Sequence, residues 1–521
     1  MYSNKDTLSQ YLDHSAVLYH DKTAIVDERT SLTYQELRSD ALNIAHYIHS
    51  LDIKKGDRVL LFLPNSIEFV QCFWAIQYLG AVAIPVNPDT KMEKLAWLID
   101  NSESSLLVVD RLGEAVLEQA CKFAKCSPHI LGCKGHLASP EQVENLTSRH
   151  SEIDLGTVSP ISADLSTIIY TSGSTGTPKG VMLTQKNMVT ASHSVASYLN
   201  LDSTDRIFCT IPMSFDYGLH QSVMSALVGA TLIIEGSFSQ PLFSLHRLVK
   251  HQATVFPIVP TMLSLIAPLA NRFDFSSLRA ITNTAAALHA GAIDQIGQLF
   301  PTAQLFSMYG LTECHRCTYL PPEQLLNRKE SVGIAIPNTE MWVIDEHGQS
   351  QTKDATGELV IRGDTVMMGY WKNQEKTDEK LKPGMYPTER VLYTGDICRL
   401  DEDGYLYFIG RKDEILKSYG EKVAPKEVER TIYQIDDVSQ VVVLGAPHPV
   451  YGDEIIAWVE SRSHTVTDNS IKEWCKSKLE SYMVPHRVYI SERLPRNGNG
   501  KIDKAFINKM SQPDYQVEKT Q

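Results

Sequence analysis

Tyr170-Thr-Ser-Gly-Ser-Thr-Gly-Thr-Pro-Lys-Gly180 holds three glycines, two serines, three threonines and one lysine, with no carboxylate. The run before it, Leu165-Ser-Thr-Ile-Ile-Tyr170, is β-branched and aromatic and reads as a buried strand. Val181-Met-Leu-Thr184 reads as a second strand, and a helix begins at Gln185. A loop of this composition between strands turns backbone N–H groups and hydroxyls onto an anion, because glycine allows the backbone angles and close approach that such a nest requires. Lys179 adds a point positive charge, so the natural guest is a polyphosphate. The Walker pattern fails here, since Pro178 precedes the lysine and a strand follows it. The dinucleotide G-x-G-x-x-G pattern fails on spacing and lacks its helix. The bland alternative, a flexible Gly/Ser linker, is disfavoured by the apolar strands on both sides.

With 521 residues the chain exceeds what one core usually supports, so two or more domains are expected. A net charge of −13 argues against a nucleic-acid or anionic-membrane surface. Apolar runs such as Val59-Leu-Leu-Phe-Leu63 are too short to span a bilayer, and the N-terminus has no apolar signal core. Together with nine scattered cysteines, this predicts a cytoplasmic protein that binds neither nucleic acid nor membrane. Cys314-His-Arg-Cys317 lacks the second pair that a zinc site needs, and reads as packing cysteines beside a functional loop.

From about Leu8 to Val109, strands such as Asp57–Leu63 and Gly80–Val86 alternate with helical patterns such as Ser66–Leu79. The alternation resumes after the phosphate loop, with short strands at Asp205–Thr210, Gly229–Ile234, Ala253–Phe256 and Ala280–Thr282. The fold class is therefore α/β, with largely parallel sheets whose strand ends line a cleft. Residues 110–160 are polar and weakly periodic and are left unplaced. Short strands dominate after Pro322, which predicts an antiparallel β subdomain at about 323–410 within a large domain spanning 1–410. From 411 to 521 a small α+β domain is expected, with helices at Pro425–Ile435 and Ile471–Leu479 and strands at Val438–Leu444 and Glu454–Glu460.

The phosphate loop resembles that of the AMP-forming adenylate ligases: acyl- and aryl-CoA synthetases, amino-acid adenylation domains and luciferases. Four further stretches carry the same resemblance in order. They are Met308-Tyr-Gly-Leu-Thr-Glu313, Tyr393-Thr-Gly-Asp396, Gly410-Arg-Lys-Asp-Glu-Ile-Leu-Lys-Ser-Tyr-Gly-Glu-Lys422 and Pro495-Arg-Asn-Gly-Asn-Gly-Lys-Ile-Asp-Lys504. The resemblance implies that Thr171, Ser172, Gly173, Ser174, Thr175, Gly176 and Lys179 hold the ATP phosphates. It implies that Tyr309 stacks on adenine, Thr312 donates to a phosphate, Glu313 holds Mg²⁺, and Asp396 and Arg411 bind the ribose. Asp413 matches the hinge about which a mobile small domain turns, and Gly420 and Lys422 line the pantetheine channel. Lys501 matches the adenylation lysine, its charge offsetting the negative charge that develops as a carboxylate attacks phosphorus.

The implied reaction forms an acyl-adenylate and pyrophosphate, then passes the acyl group to a phosphopantetheine thiol. The acid pocket should include Phe215, Asp216, Tyr217, His220, Asn283 and Met308. Phe215-Asp216 stands where amino-acid adenylation domains carry the counter-charge of an α-ammonium. Asp216 could equally cap a helix starting at Tyr217. The main expectation is a small carboxylic acid, with an amino acid as one option, delivered to a carrier protein supplied in trans. The alternatives are a fatty- or aryl-acid CoA ligase and a non-catalytic ATP-binding protein of the same fold. Gly420–Glu429 looks more like the CoA-ligase pattern, and Ile281–Ala287 lacks the glycine pair usual at that strand end.

Overall fold

The computed structural model describes all residues except 1–4, 135–140, 148–158, 173–177, 285–287, 289, 420, 449, 451, 463–464, 497–500 and 512–521. Two large sheets carry the N-terminal part. One has seven strands in the order Gly369–Tyr370, Pro178–Thr184, Leu165–Ser172, Val82–Pro85, Arg58–Phe62, Ser104–Asp110 and His129–Cys133. The last five run parallel. Pro178–Thr184 is antiparallel to Leu165–Ser172, as it must be, because the few residues between them are too short for a crossover.

The second sheet has nine strands, of which six are mutually parallel, including Arg206–Cys209, Val255–Ile258, Ala280–Asn283 and Gln304–Tyr309. Strands buried on both faces favour apolar side chains, as in Val255–Ile258; Ala280–Asn283 is equally buried and ends on the polar Thr282 and Asn283. The helix Ile67–Leu79 is buried on almost every side, so it lies within the core rather than on its surface. Within the stretch left unplaced by sequence, the described residues form a helix Glu114–Phe123 and a strand His129–Cys133 that closes the first sheet.

The β subdomain is an antiparallel sheet built around Ala355–Gly363 and Arg390–Leu400. One boundary needs correction. Gly369–Tyr370 falls within the stretch assigned to this subdomain, yet it pairs with Pro178–Thr184 and caps the first large sheet. Trp371 N–H donates to the Gly180 carbonyl at 2.7 Å and fixes that excursion.

The small C-terminal domain has its own sheet, with the helices Pro425–Ile432 and Asp468–Lys478 near the predicted positions. Its strands Gln440–His448 and Gly452–Glu460 pair along their whole length. Sequence periodicity missed Arg487–Ser491, which adds in parallel to that hairpin. Val423, Val428, Ile432, Val441, Val443 and Ile455 make a core separate from that of the large domain.

Candidate active site

The site assembles from six elements: β1 (Leu165–Ser172), β2 (Pro178–Thr184), α1 (Asp216–Val228), β3 (Gln304–Tyr309), β4 (Arg390–Leu400) and β5 (Leu406–Arg411). Gly173, Ser174, Thr175 and Gly176 of the phosphate loop lie outside the described residues, as do Gly420 and the side chains of Ser172 and Lys422. What frames the phosphate loop is described. Thr171 at the end of β1 is in register with Lys179 at the start of β2. Lys179 Nζ stands 5.7 Å from the centre of the Tyr370 ring, within cation–π range. The Tyr370 hydroxyl donates to Glu313 Oε1 at 2.7 Å. One tyrosine thus joins the phosphate-loop lysine to the glutamate of the Tyr309–Glu313 motif, with Thr312 half-buried in the turn between.

A second cluster sits where β4 and β5 meet. Asp396 and Arg411 are cross-strand partners in this antiparallel pair, a register that sets their side chains side by side. Arg411 Nε lies 3.1 Å from Asp396 Oδ1, and the Tyr309 phenol donates to Asp396 Oδ2. Asp396 is 1% exposed, and its Oδ1 has no hydrogen-bond partner among the described residues. The 3.1 Å approach of Arg411 is an ion pair lacking hydrogen-bond alignment, so this oxygen is free to accept from a ligand hydroxyl. Burial raises the Asp396 pKa, against the nearby Arg411 charge. Tyr309 is expected to stack on adenine. The structure adds that its hydroxyl is tied to the carboxylate assigned to the ribose.

The third cluster, around the first turn of α1, departs most from expectation. The helix starts at Asp216 with Phe215 as its N-cap, and no side chain caps it. Asp216 is therefore not the cap considered from the sequence. Its Oδ2 lies 3.2 Å from Arg316 Nη1 and 3.2 Å from His315 Nδ1. Burial alone would raise the Asp216 pKa. The His315 hydrogen bond and the Arg316 charge overcome this and hold it well below the usual carboxylate range. Asp216 is already neutralised by protein groups, which corrects its reading as the waiting counter-charge of a substrate ammonium.

Two glycines make this meeting possible. A Cβ on Gly218 would lie 2.3 Å from the Pro212 carbonyl oxygen, so only glycine lets α1 begin this close to the preceding loop. A Cβ on Gly310 would lie 2.2 Å from the His315 carbonyl oxygen and 2.8 Å from Arg316 Cα. The loop after β3 folds back over Gly310 and turns through His315, whose φ of 60° is left-handed. Arg316 is thereby brought over the Tyr217 ring, 4.7 Å from its centre. The Tyr217 hydroxyl is in turn held by the Thr282 carbonyl at 2.9 Å.

Tyr217, His220, Thr282, Met308, His315 and Arg316 line a small, partly open cleft. Among the expected pocket residues, Tyr217, His220 and Met308 line it. Asn283 is buried at a neighbouring strand end, and Phe215 is half-buried beside the helix start. The small domain contributes Lys501. Arg496 and Ile502 bridge as an antiparallel pair, the latter next to this lysine in the chain. Its side chain is solvent-accessible, yet loss of water in the cleft lowers its pKa, and the charges that act on it are Asp216 and Arg316. Asp413 lies in the exposed turn after β5, 3.6 Å from Arg411 Nε.

Sequence reasoning missed Tyr370, His315 and Arg316. The last two are the interior of the Cys314–Cys317 C-x-x-C, a motif that local sequence presents chiefly as cysteines. Cys314 and Cys317 are fully buried with their sulfurs 2.9 Å apart, consistent with packing.

The sequence profile of the AMP-binding enzyme family matches residues 12–371, and that of the AMP-binding enzyme C-terminal domain matches residues 427–501. An oxalate–CoA ligase of Arabidopsis thaliana is 31% identical, over 97% of this chain and 98% of its own length. A 4-coumarate–CoA ligase of Solanum tuberosum is 30% identical, over 90% of this chain and 87% of its own. The crystal structure of an anthranilate CoA ligase in complex with anthranoyl-AMP superposes with a TM-score of 0.87 over 98% of both chains, at 23% identity, and shares the fold. No described helix is long and apolar enough to cross a membrane. The chain belongs to the AMP-binding enzyme family and is an AMP-forming acid–thiol ligase.

Proposed function

We propose that this enzyme joins a small carboxylic acid to coenzyme A, through an acyl-adenylate. The observation that supports the reading is that the Asp216 and Arg316 charges act on Lys501 of the small domain, which brings this lysine within electrostatic reach of the first turn of α1 and the loop after β3. A carboxylate oxygen attacks the α-phosphorus of ATP, the bond from that phosphorus to the bridging oxygen breaks, and pyrophosphate leaves. The thiol sulfur then attacks the acyl carbon, AMP leaves, and the thiol proton passes to solvent. Positioning and charge neutralisation supply most of the rate in such a displacement.

In this reading Lys501 neutralises charge between the acid and the α-phosphate, Lys179 and Thr312 hold phosphates, and Asp396 with Arg411 receives the ribose. Glu313 would hold Mg²⁺, which neutralises phosphate charge when bound. A magnesium ion is commonly held through one or two carboxylates plus substrate phosphates, and no larger cluster of metal-ligating side chains exists among the described residues. Asp413 serves as the hinge between the half-reactions, and Gly420 and Lys422 belong to the pantetheine path.

Coenzyme A is preferred to a carrier protein as acceptor because the relatives are named for CoA ligation. An amino acid is disfavoured because Arg316 and His315 already occupy Asp216. Incubation with ATP, Mg²⁺, an acid panel and either coenzyme A or a phosphopantetheinylated carrier protein tests this. Acyl-CoA formation supports it, whereas acylation of the carrier alone contradicts it.

A further inference from the structure

The cleft beside α1 is lined by polar groups that its walls do not satisfy. Arg316 is 3% exposed, and only its Nη1 is engaged, with Asp216 at 3.2 Å and the His315 carbonyl at 2.9 Å. Its Nε and Nη2 make no hydrogen bond among the described residues, so three of the five guanidinium N–H bonds await acceptors. His220 is 1% exposed. Its Nδ1 lies 2.8 Å from Ser192 Oγ, while its Nε2 is buried without a partner. The His220 and His315 rings stack at 3.4 Å, and Tyr217 supports Arg316 from below, so these groups are held in place. A pocket for a plain alkyl or aryl chain has no use for them. An apolar ligand seated against these groups would strip their access to water without supplying an acceptor, which is costly.

Resting on the assignment of this chain as an acid:CoA ligase, we propose that its acid carries a second oxygen-bearing group at its far end. Arg316 and His220 are the residues that select it. The shared chemistry is a hydrogen-bond acceptor, supplied either as a second carboxylate or as a neutral hydroxyl or carbonyl oxygen. Arg316 is a specificity residue in this arrangement. The reacting carboxylate belongs to Lys501, and the distal oxygen to Arg316. A second carboxylate would share the guanidinium with Asp216, and a neutral oxygen would leave the Asp216–Arg316 charges balanced as they stand.

The test is a matched set of unbranched acids of three to six carbons whose ends are methyl, hydroxyl, carboxylate or ammonium, assayed for acyl-CoA and AMP. At the best length the hydroxyl or carboxylate member should exceed the methyl member in kcat/KM on the order of 10²-fold, because a site built to bind an oxygen rejects the analogue lacking it. Which of the two wins identifies the source of the acceptor. Arg316→Met should erase that preference by raising KM for the polar acid, with the KM for ATP unchanged, and Arg316→Lys should restore part of it. Since Arg316→Met strands a buried aspartate, the double variant Asp216→Asn/Arg316→Met should show the same loss of preference in a folded protein. Equal or better use of the methyl or ammonium member by the parent overturns the inference while leaving the ligase assignment standing. A preference that survives in the double variant also overturns it. Absence of AMP formation with every acid overturns the ligase assignment, and the inference with it.

Discussion

Arg316 Nη1 stands 3.2 Å from Asp216 Oδ2, so a buried ion pair locks the loop after β3 to the first turn of α1. Each partner comes from a segment that could not be matched to the other by spacing, since 100 residues separate them. The pair lies beside the cleft lined by Tyr217 and His220 and consumes the charge that would otherwise read as an ammonium site.

Removing one partner of such a pair leaves a buried charge alone. Asp216→Ala should destabilise the protein by about 3–5 kcal/mol in urea denaturation. Asp216→Asn/Arg316→Met should recover most of that loss, because no unpaired charge remains. Equal losses in the single and double variants would show that the pair is not energetically coupled.

Burial lowers the His315 pKa to about 4, the Arg316 charge adds to this, and Asp216 opposes it. An unfolded histidine titrates near 6.5. Between about pH 6.5 and 4 the unfolded chain therefore binds the extra proton, and stability falls as pH drops through that window. On going from pH 7 to 4.5 this residue should account for roughly 2–3 kcal/mol of lost stability. His315→Gln should lose less than the parent over the same interval, and identical losses would remove His315 as the cause.

The Tyr370 hydroxyl donates to Glu313 while its ring faces Lys179. Tyr370→Phe keeps the ring and deletes the hydrogen bond, which is worth about 1.5–3 kcal/mol to a charged acceptor. A fall of roughly tenfold in kcat/KM for Mg·ATP is expected, with the KM for the acid unchanged. A change in the acid KM alone would place Tyr370 on the wrong side of the cleft.

How far the site was legible follows from sequence distance. Lys179, the Tyr309–Glu313 turn, Asp396, Arg411 and Lys501 each sit in a short stretch whose composition already signals a loop suited to phosphate, nucleoside or cleft. The α/β class was legible because β-branched runs alternate with helical spacing in both large sheets. Tyr370 and Arg316 were not, because their roles exist only through partners far along the chain, Glu313 and Lys179 for one and Asp216 for the other. For the same reason Asp216 reads from local sequence as a cap or a pocket charge, while the tertiary pair with Arg316 decides otherwise. The excursion of Gly369–Tyr370 into the first sheet was hidden because a two-residue strand has no periodicity to read.

Asp413 lies in the exposed turn between β5 and the small domain's first strand, 3.6 Å from Arg411. Asp413→Pro restricts the backbone there. Pyrophosphate exchange should persist in this variant while acyl-CoA formation falls by at least about tenfold, as expected when a rate-contributing domain motion is blocked. Equal loss of both half-reactions would make the residue structural rather than a hinge.

The most direct measurement is acid-dependent exchange of labelled pyrophosphate into ATP by the parent and by Lys501→Ala. Exchange with a small oxygen-bearing acid is expected from the parent, reduced on the order of 10²–10³-fold by Lys501→Ala, with ATP binding and thermal unfolding unchanged. Exchange of equal rate in the two proteins would contradict the placement of Lys501 at the reacting carboxylate, and with it the proposed chemistry of the cleft.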